Sequence, residues 1–308
     1  MGPPCSIIGC DFAGVVEEVG SEAVSDWKVG DRIAGVVHGG LFPDKGAFAQ
    51  YLKVPSDLAW KPPNGISDDQ AATYGVSAVT AMQGLFTQLD VPWPLASQKT
   101  PVQNSDSPFL FVYAGSTTAS LFAIQLATLV GYKVVTTCSP HNFDLVKSYG
   151  AVAAYDYHSP SALSEIKAAY PNINRAFDGI SLPESMNFCS SVVEKAPDGG
   201  KVVVLLDPRK AETKPNVEII LIMMYTVFGL PFELLKPVGR YLGLARGEKP
   251  EDREALVKFY AMLPELTKTV KAPPIQSISG GFEGLFEALE LLRSKKVSGK
   301  KLVVNLLE

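Results

Sequence analysis

The chain has 308 residues, which is enough for two domains of ordinary size. Hydrophobic residues make up 46% of it and charged residues 19%, a balance that is typical of a packed globular protein and excludes a disordered one. The formal net charge of −4 provides no basic face for nucleic acid or anionic lipid. We therefore expect small molecules or proteins as partners.

The cysteines and the apolar runs indicate an intracellular protein. The four cysteines (Cys5, Cys10, Cys138 and Cys189) have neither disulfide-framework nor zinc-finger spacing, so we expect reduced thiols. The longest apolar run, residues 219–230, is too short to cross a bilayer and predicts buried core. No basic segment leads into an apolar stretch at the N-terminus. We expect a cytoplasmic location.

The first part of the chain is predicted to be a small β unit. Short β segments are predicted at residues 14–19, 32–37 and 47–53. A helix is predicted over residues 68–89, with Ser67 and Asp68 available to cap its start. Residues 91–108 are polar and rich in Pro and Ser, which predicts a surface loop.

From Phe109 onward, predicted strands and helices alternate. The strands are predicted at 109–113, 133–137, 152–155, 175–178 and 201–206, and the helices at 119–130, 143–149 and 161–169. This alternation predicts an α/β fold with a doubly wound parallel sheet and helices on both faces. Pro264, Pro273 and Pro274 mark the exit from it, and a helix at 283–294 and a strand at 301–306 follow.

The stretch FLFVYAGSTTAS, residues 109–120, is the candidate nucleotide site. A strand enters a turn of small residues and then a helix, a geometry that directs backbone N–H groups and a helix N-terminus at a pyrophosphate. Only Gly115 remains of the G-x-G-x-x-G spacing. A small-residue turn that serves only helix–sheet packing explains the pattern equally well.

The end of the second strand distinguishes between the two nicotinamide cofactors. NAD enzymes usually place an acid there to hold the ribose 2′-hydroxyl. After Thr137 this chain has no acid but has the donors Ser139, His141 and Asn142, which favour the 2′-phosphate of NADP. Tyr157 adds a hydroxyl or a stacking surface for adenine. Alternatively, Ser139 and Asn142 serve only to cap the next helix.

Four segments resemble medium-chain dehydrogenases/reductases: GCDFAGVVEEVG at 9–20, VGDRI at 29–33, GAFAQY at 46–51 and KKVSGKKLV at 295–303. The resemblance implies a Rossmann domain and a GroES-like β domain. We expect the GroES-like domain over residues 1–89 and 266–308, and the NADP-binding domain over residues 90–265.

No zinc site is expected. Zinc alcohol dehydrogenases of that superfamily carry a histidine where this chain has Cys10, and their four-cysteine structural lobe is absent. The only histidines, His38, His141 and His158, do not assemble a convincing three-ligand site.

The stretches IIGCDF at 7–12 and CSPHNF at 138–143 more closely resemble the trans-acting enoyl reductases of fungal polyketide biosynthesis. That resemblance implies hydride transfer from NADPH to an α,β-unsaturated thioester on the acyl carrier of a partner synthase. We expect a monomer and name no catalytic residue. The implied NADP contacts are Ser116, Thr117, Thr118, Ala119, Ser139, Pro140, His141, Asn142, Tyr157, Leu205, Leu206, Val297 and Ser298. The implied substrate contacts are Ser77, Thr80, Ala81, Gly84, Tyr225, Thr226, Val227, Phe228 and Gly229.

Two alternatives remain open from the sequence: an NADPH-dependent quinone or alkenal reductase, and a non-catalytic NADP-binding remnant. Members of the family begin several dozen residues earlier than this chain. We therefore expect an N-terminally shortened β domain that is looser than the Rossmann half.

Overall fold

The structure is a computed structural model and describes residues 6–95, 101, 103–212, 214–234, 239 and 245–307. The chain divides into two compact units: unit 1 is Met1–Val79 with Met224–Glu308, and unit 2 is Thr80–Met223. The predicted domain boundaries, at 89/90 and 265/266, lie further along the chain than these divisions.

Unit 2 is built on a parallel sheet, which has six strands in the described residues. In chain order its strands are β4 (Phe109–Tyr113), β5 (Lys133–Cys138), β6 (Ala151–Asp156), β7 (Arg175–Asp178), β8 (Gly200–Val204) and β9 (Val217–Leu221). Their spatial order is β6-β5-β4-β7-β8-β9. The chain therefore moves outward from β4 to β6 and returns to the other side of β4, which is the doubly wound Rossmann order. The predicted fold class is confirmed.

Helices connect these strands and cover the sheet. They are α3 (Thr118–Leu129), α4 (Phe143–Ser148), α5 (Ala162–Ala169) and α6 (Pro183–Val193). α3 is apolar almost all round and nearly all of its residues are buried, as expected for a helix enclosed by the core. The core includes Phe111 from β4, Val135 from β5 and Val202 from β8, all fully buried. Strands buried on both faces give continuous apolar runs rather than alternation.

Unit 1 holds three small sheets and two longer helices within the described residues. The antiparallel strands β1 (Asp11–Val15), β2 (Arg32–Val36) and β3 (Ala59–Trp60) form one sheet. Further along come β10 (Phe232–Glu233), β11 (Ala245–Arg246), α7 (Pro250–Leu266), β12 (Ile275–Ile278), α8 (Gly281–Arg293) and β13 (Lys301–Val304). β12 and β13 pair in parallel, and α8 connects and packs on them.

The predicted helix at 68–89 is interrupted. The structure has α1 (Asp68–Ala71), a 3₁₀ turn at Ala72–Tyr74, α2 (Val76–Met82) and a π-helical turn at Gln83–Gln88. Ser67 caps the start as predicted, since its hydroxyl accepts from the Gln70 amide. The break occurs at Gly75 because Asp11 Oδ1 accepts from the Val76 amide at 2.5 Å and leaves no room for a β-carbon on Gly75.

The predicted strand at 47–53 is wrong. The amides of Ala47 and Phe48 donate to the carbonyls of Gly9 and Ile8, each at 2.9 Å, but this pairing does not continue into a ladder. The structure also contains helices and strands that were not predicted, namely α6, α7, β3, β9, β10, β11 and β12. Part of the predicted loop at 91–108 lies outside the described residues; the described part contains no helix or strand.

Candidate functional site

The turn after β4 leaves no room for a side chain at Gly115. Ala114 adopts a left-handed conformation with φ of 57°, and Gly115 donates its amide to the Thr137 carbonyl at 2.8 Å. A β-carbon on Gly115 would lie 2.2 Å from Thr136 Oγ1. The turn therefore requires glycine, and its backbone lies at the carboxyl end of the sheet.

The start of α3 faces the same edge of the sheet. Thr117 is its N-cap, and its hydroxyl accepts from the Ser120 amide. The amides of a first helical turn have no intrahelical acceptors, and the N-terminus of a helix carries partial positive charge. Ser116, Thr117, Thr118 and Ala119, which the sequence assigns to the cofactor, lie at this helix start. The arrangement fits a pyrophosphate.

The turn after β5 begins at Ser139, whose side chain does not cap the helical turn that follows. Ser139 precedes a 3₁₀ turn at Pro140–Asn142, and its hydroxyl makes no capping hydrogen bond to it. Pro140 and His141 are exposed, whereas Asn142 is buried with its amide nitrogen 3.3 Å from His141 Nε2. Ser139 and His141 are thus the better placed of the predicted phosphate donors.

Tyr157 follows β6 directly, at the next strand end outward from β5. Its side chain is 40% exposed, and its ring centroid lies 3.9 Å from that of His158. An exposed aromatic ring at this strand end is suited to stacking on a purine.

A buried carboxylate at the end of β7 was missed by the sequence reasoning. Asp178 is fully buried and accepts from the amides of Ile180 and Ser181 and from the Ser185 hydroxyl, at 2.7–2.9 Å. Burial raises the pKa of this carboxyl, and these three donors oppose the rise. A strand-end aspartate followed by a turn was the available signal, because such a carboxylate bonds the amides after it.

The turn at residues 178–181, called the Asp178 turn below, also positions the backbone after β8. Ser181 donates its hydroxyl to the Asp178 carbonyl and accepts from the Leu205 amide at 2.7 Å. Leu205 and Leu206, both predicted cofactor contacts, immediately follow β8, and Leu206 is 51% exposed. The structure therefore brings the predicted cofactor residues of unit 2 to one edge of the sheet, where parallel α/β proteins bind their ligands.

In unit 1 an aromatic pocket lies beside the end of β2. Its lining is Val37, His38, Phe42, Lys45, Lys53, Pro55, Leu58, Tyr225, Phe228, Leu230, Pro231 and Phe232. The predicted substrate residues Tyr225 and Phe228 belong to it. Thr226 instead donates its hydroxyl to the buried Asp252, and Val227 is fully buried, so these two side chains serve the packing of a 3₁₀ turn against α7.

The other predicted residues are not among the lining residues of this pocket. Ser77 is buried in unit 1, and Gly229 has a positive φ of 68°. Thr80, Ala81 and Gly84 are buried in unit 2. Val297 and Ser298 lie in the unit 1 segment between α8 and β13.

Cys10 occupies the position where the resemblance compares this chain with zinc enzymes. Its sulfur lies 3.5 Å from the Tyr225 hydroxyl oxygen. Within the described part of the chain, no group of three His, Cys, Asp or Glu side chains could hold a metal ion. Zinc independence stays a prediction that requires metal analysis.

The fold and the strand-end site define a class, the medium-chain dehydrogenases/reductases. Residues 1–64 match the alcohol dehydrogenase GroES-like domain. Trans-enoyl reductase thnE of Trichoderma harzianum is 38% identical over 310 residues, covering 97% of this chain and 82% of that protein. Trans-enoyl reductase TOXD of Cochliobolus carbonum is 42% identical over 236 residues, covering 75% of this chain and 76% of that protein.

Among solved structures, Escherichia coli quinone oxidoreductase complexed with NADPH shares the fold, with a TM-score of 0.66 at 18% identity, over 98% of this chain and 84% of that one. The chain belongs to the trans-enoyl reductase family. It is accordingly an oxidoreductase that acts on a carbon–carbon double bond. None of the helices in the described residues combines the length and apolar character needed to span a membrane.

Proposed function

We propose that this protein is a trans-acting enoyl reductase that uses NADPH to reduce an α,β-unsaturated thioester carried by a partner polyketide synthase. The observation that carries the proposal is the match to proteins named trans-enoyl reductases over 97% of the chain. The strand-end site of unit 2 supports the cofactor, because a glycine turn and a helix N-terminus follow β4, and Ser139, which makes no capping hydrogen bond, follows β5.

The preference for NADPH rests on the turn after β5. An acid at this point would repel a 2′-phosphate, and the turn has none. The Ser139 hydroxyl makes no capping bond, and the His141 side chain is exposed, so we propose both residues as contacts for the phosphate. Tyr157 would stack on the adenine, and the chain around Leu205 would line the path toward the nicotinamide.

Bound NADPH supplies a hydride, which the β-carbon of the enoyl thioester accepts. The protein's part is to hold the two reactants in line and to shield them from water, which is where most of the rate acceleration in such reactions arises. The Asp178 turn positions the backbone after β8 through Ser181, and this gives the cofactor a rigid wall. Protonation of the α-carbon completes the reduction.

The test is NADPH oxidation by the purified protein with crotonyl pantetheine thioester and, separately, with a quinone. Reduction of the thioester with much higher kcat/KM than the quinone is the expected result. Quinone turnover alone would reassign the protein to quinone reduction. Tight NADPH binding without turnover of either compound would indicate a binding protein.

A matched pair of glycine variants controls for fold and cofactor binding. Gly115→Ala blocks the turn after β4, whereas a β-carbon on Gly65 meets no atom within 4 Å. Gly115→Ala should abolish turnover and Gly65→Ala should preserve it. Loss in both variants would show that the assay reports folding rather than the site.

A further inference from the structure

The aromatic pocket of unit 1 contains one polar ring that the protein itself leaves unsatisfied. His38 is only 5% exposed, and neither Nδ1 nor Nε2 has a hydrogen-bond partner among the described residues. Leaving a buried polar group unpaired costs about 1–3 kcal/mol, so native structures rarely do so without a functional reason. A ligand that pairs with His38 would remove this cost.

Aromatic side chains fix the orientation of this ring. The His38 ring stacks on Tyr225 at a centroid distance of 3.8 Å and an interplanar angle of 22°. Phe42 and Phe232 meet it edge-on at 5.6 and 5.5 Å. The Tyr225 hydroxyl is engaged with Cys10 rather than with the imidazole. Aromatic packing therefore fixes the plane of the imidazole.

The imidazole is neutral at physiological pH. Burial lowers the pKa of His38 to about 4. A neutral imidazole has one N–H donor and one nitrogen acceptor. A hydroxyl pairs with either nitrogen, and a carbonyl oxygen pairs with the donor. An anion is a poor match for this ring, because the neutral imidazole offers it no positive charge.

We propose that the aromatic pocket holds the part of the acyl chain that lies beyond the reacting double bond, and that His38 hydrogen-bonds a hydroxyl or carbonyl oxygen on that chain. This inference rests on the proposed function and deepens it, because it assigns a substrate class: apolar acyl chains that bear an isolated oxygen. The residues that carry it, His38, Phe42 and Phe232, lie outside the set that the family resemblance assigns to the substrate.

The pocket composition supports such a chain. Phe228, Leu58 and Pro231 offer apolar surface for a hydrocarbon, and His38 is the buried polar side chain among them. Lys45 lies over the Phe42 ring at 4.7 Å, so that cation is engaged by an aromatic face. A site built to hydrogen-bond a substrate oxygen discriminates strongly against the analogue that lacks it.

The test compares two α,β-unsaturated pantetheine thioesters of equal chain length, one with a hydroxyl on its terminal carbon and one without. A series of lengths locates the carbon that reaches His38. At the best length the protein should prefer the hydroxylated chain about tenfold in kcat/KM, which corresponds to about 1.4 kcal/mol. His38→Leu should lower this ratio to about one, and His38→Gln should retain part of it.

Phe42→Leu is the matched control, since it removes an apolar contact and keeps the imidazole. It should raise KM for both chains by the same factor and leave the ratio unchanged. A wild-type ratio near one at every length would overturn the inference and leave the proposed function standing. A ratio that persists in His38→Leu would also overturn it.

A binding measurement keeps the inference testable without turnover. Titration with the saturated hydroxylated thioester should shift the ¹⁵N resonances of the His38 ring, and the saturated plain chain should not. A purely structural histidine would show equal responses to both. If neither thioester is reduced, the proposed function fails, while the NMR titration still decides the role of His38.

Discussion

The Thr136 hydroxyl occupies the space that a side chain on Gly115 would need. Its oxygen donates to the Val112 carbonyl at 2.6 Å, which prevents it from turning away, and a β-carbon on Gly115 would lie 2.2 Å from it. The bond between β4 and β5 thus determines the residue type in the cofactor turn. This steric contact therefore shapes the turn that we propose binds the pyrophosphate.

We expect Gly115→Ala to weaken NADPH binding by about tenfold or more. The turn must shift to avoid Thr136, and the amides of the turn would then no longer point toward the pyrophosphate. Isothermal titration of NADPH measures the effect. The double variant Gly115→Ala with Thr136→Ala should recover part of the affinity. Equal affinity of Gly115→Ala and the unaltered protein would contradict the assignment of this turn.

NADPH should bind about tenfold more tightly than NADH, a difference of about 1.4 kcal/mol. The physical reason is the donor set after β5, where the Ser139 hydroxyl is not used in capping. Ser139→Asp should erase the preference by repelling the 2′-phosphate. Titrations with both cofactors measure it, and Ser161→Asp, at an exposed position before α5, controls for added charge. Equal affinities in the unaltered protein would exclude the assignment to NADP.

Asp178→Asn should destabilise the protein by about 1–3 kcal/mol, because its carboxylate accepts from two amides and a hydroxyl and an amide group cannot replace all three. Chemical denaturation monitored by tryptophan fluorescence measures the change. Asp198→Asn, at an exposed position, should change the free energy of unfolding very little. If both variants changed the free energy of unfolding by the same small amount, the hydrogen bonds of Asp178 would have no net stabilising role.

Glu194 should give a pH-dependent contribution to stability. Lys167 and Lys214 both donate to its carboxylate, and they lower its pKa from 4.5 to about 2. A carboxyl whose folded pKa is depressed stabilises fully above its unfolded pKa, and this stabilisation is lost as the pH falls toward the folded pKa.

Glu194→Gln should therefore lower the free energy of unfolding by about 1 kcal/mol near neutral pH, a value limited by the partial exposure of the pair. The difference should shrink as the pH falls from 4.5 toward 2. Thermal melts across that range measure it, with the exposed Glu287→Gln as the control. A difference that stays constant with pH would assign the effect to packing.

The sheet of unit 2 could be predicted because each strand is a short apolar run between polar turns. β7 (Arg175–Asp178) has the predicted bounds, and β4 does as well. The nucleotide turn was also predictable, since the strand, the small residues and the helix are consecutive. These features are local, and their side-chain types are dictated by burial on both faces of the sheet.

Elements that depend on distant partners could not be predicted. Pro264 predicts a chain break, yet α7 continues through it to Leu266, although a proline has no N–H to donate to the carbonyl four residues earlier. The helix over 68–89 reads as continuous until Asp11, more than fifty residues earlier, caps Val76 and interrupts it. His38 gives no sequence signal of its own, because its aromatic neighbours come from segments nearly two hundred residues apart.

The order in which the units occur along the chain has a consequence for biosynthesis. Unit 2 is one uninterrupted segment, whereas unit 1 is assembled from two segments that flank it. On the ribosome, the Rossmann sheet is therefore complete while the residues that finish unit 1, among them Lys301 with its bond to Asp11, have not yet been synthesised. Until then the first segment lacks the later residues that contact its sheet, including α7, which packs on β3. Nascent chains arrested before α7 should accordingly resist protease across unit 2 and be cleaved within the first seventy or so residues.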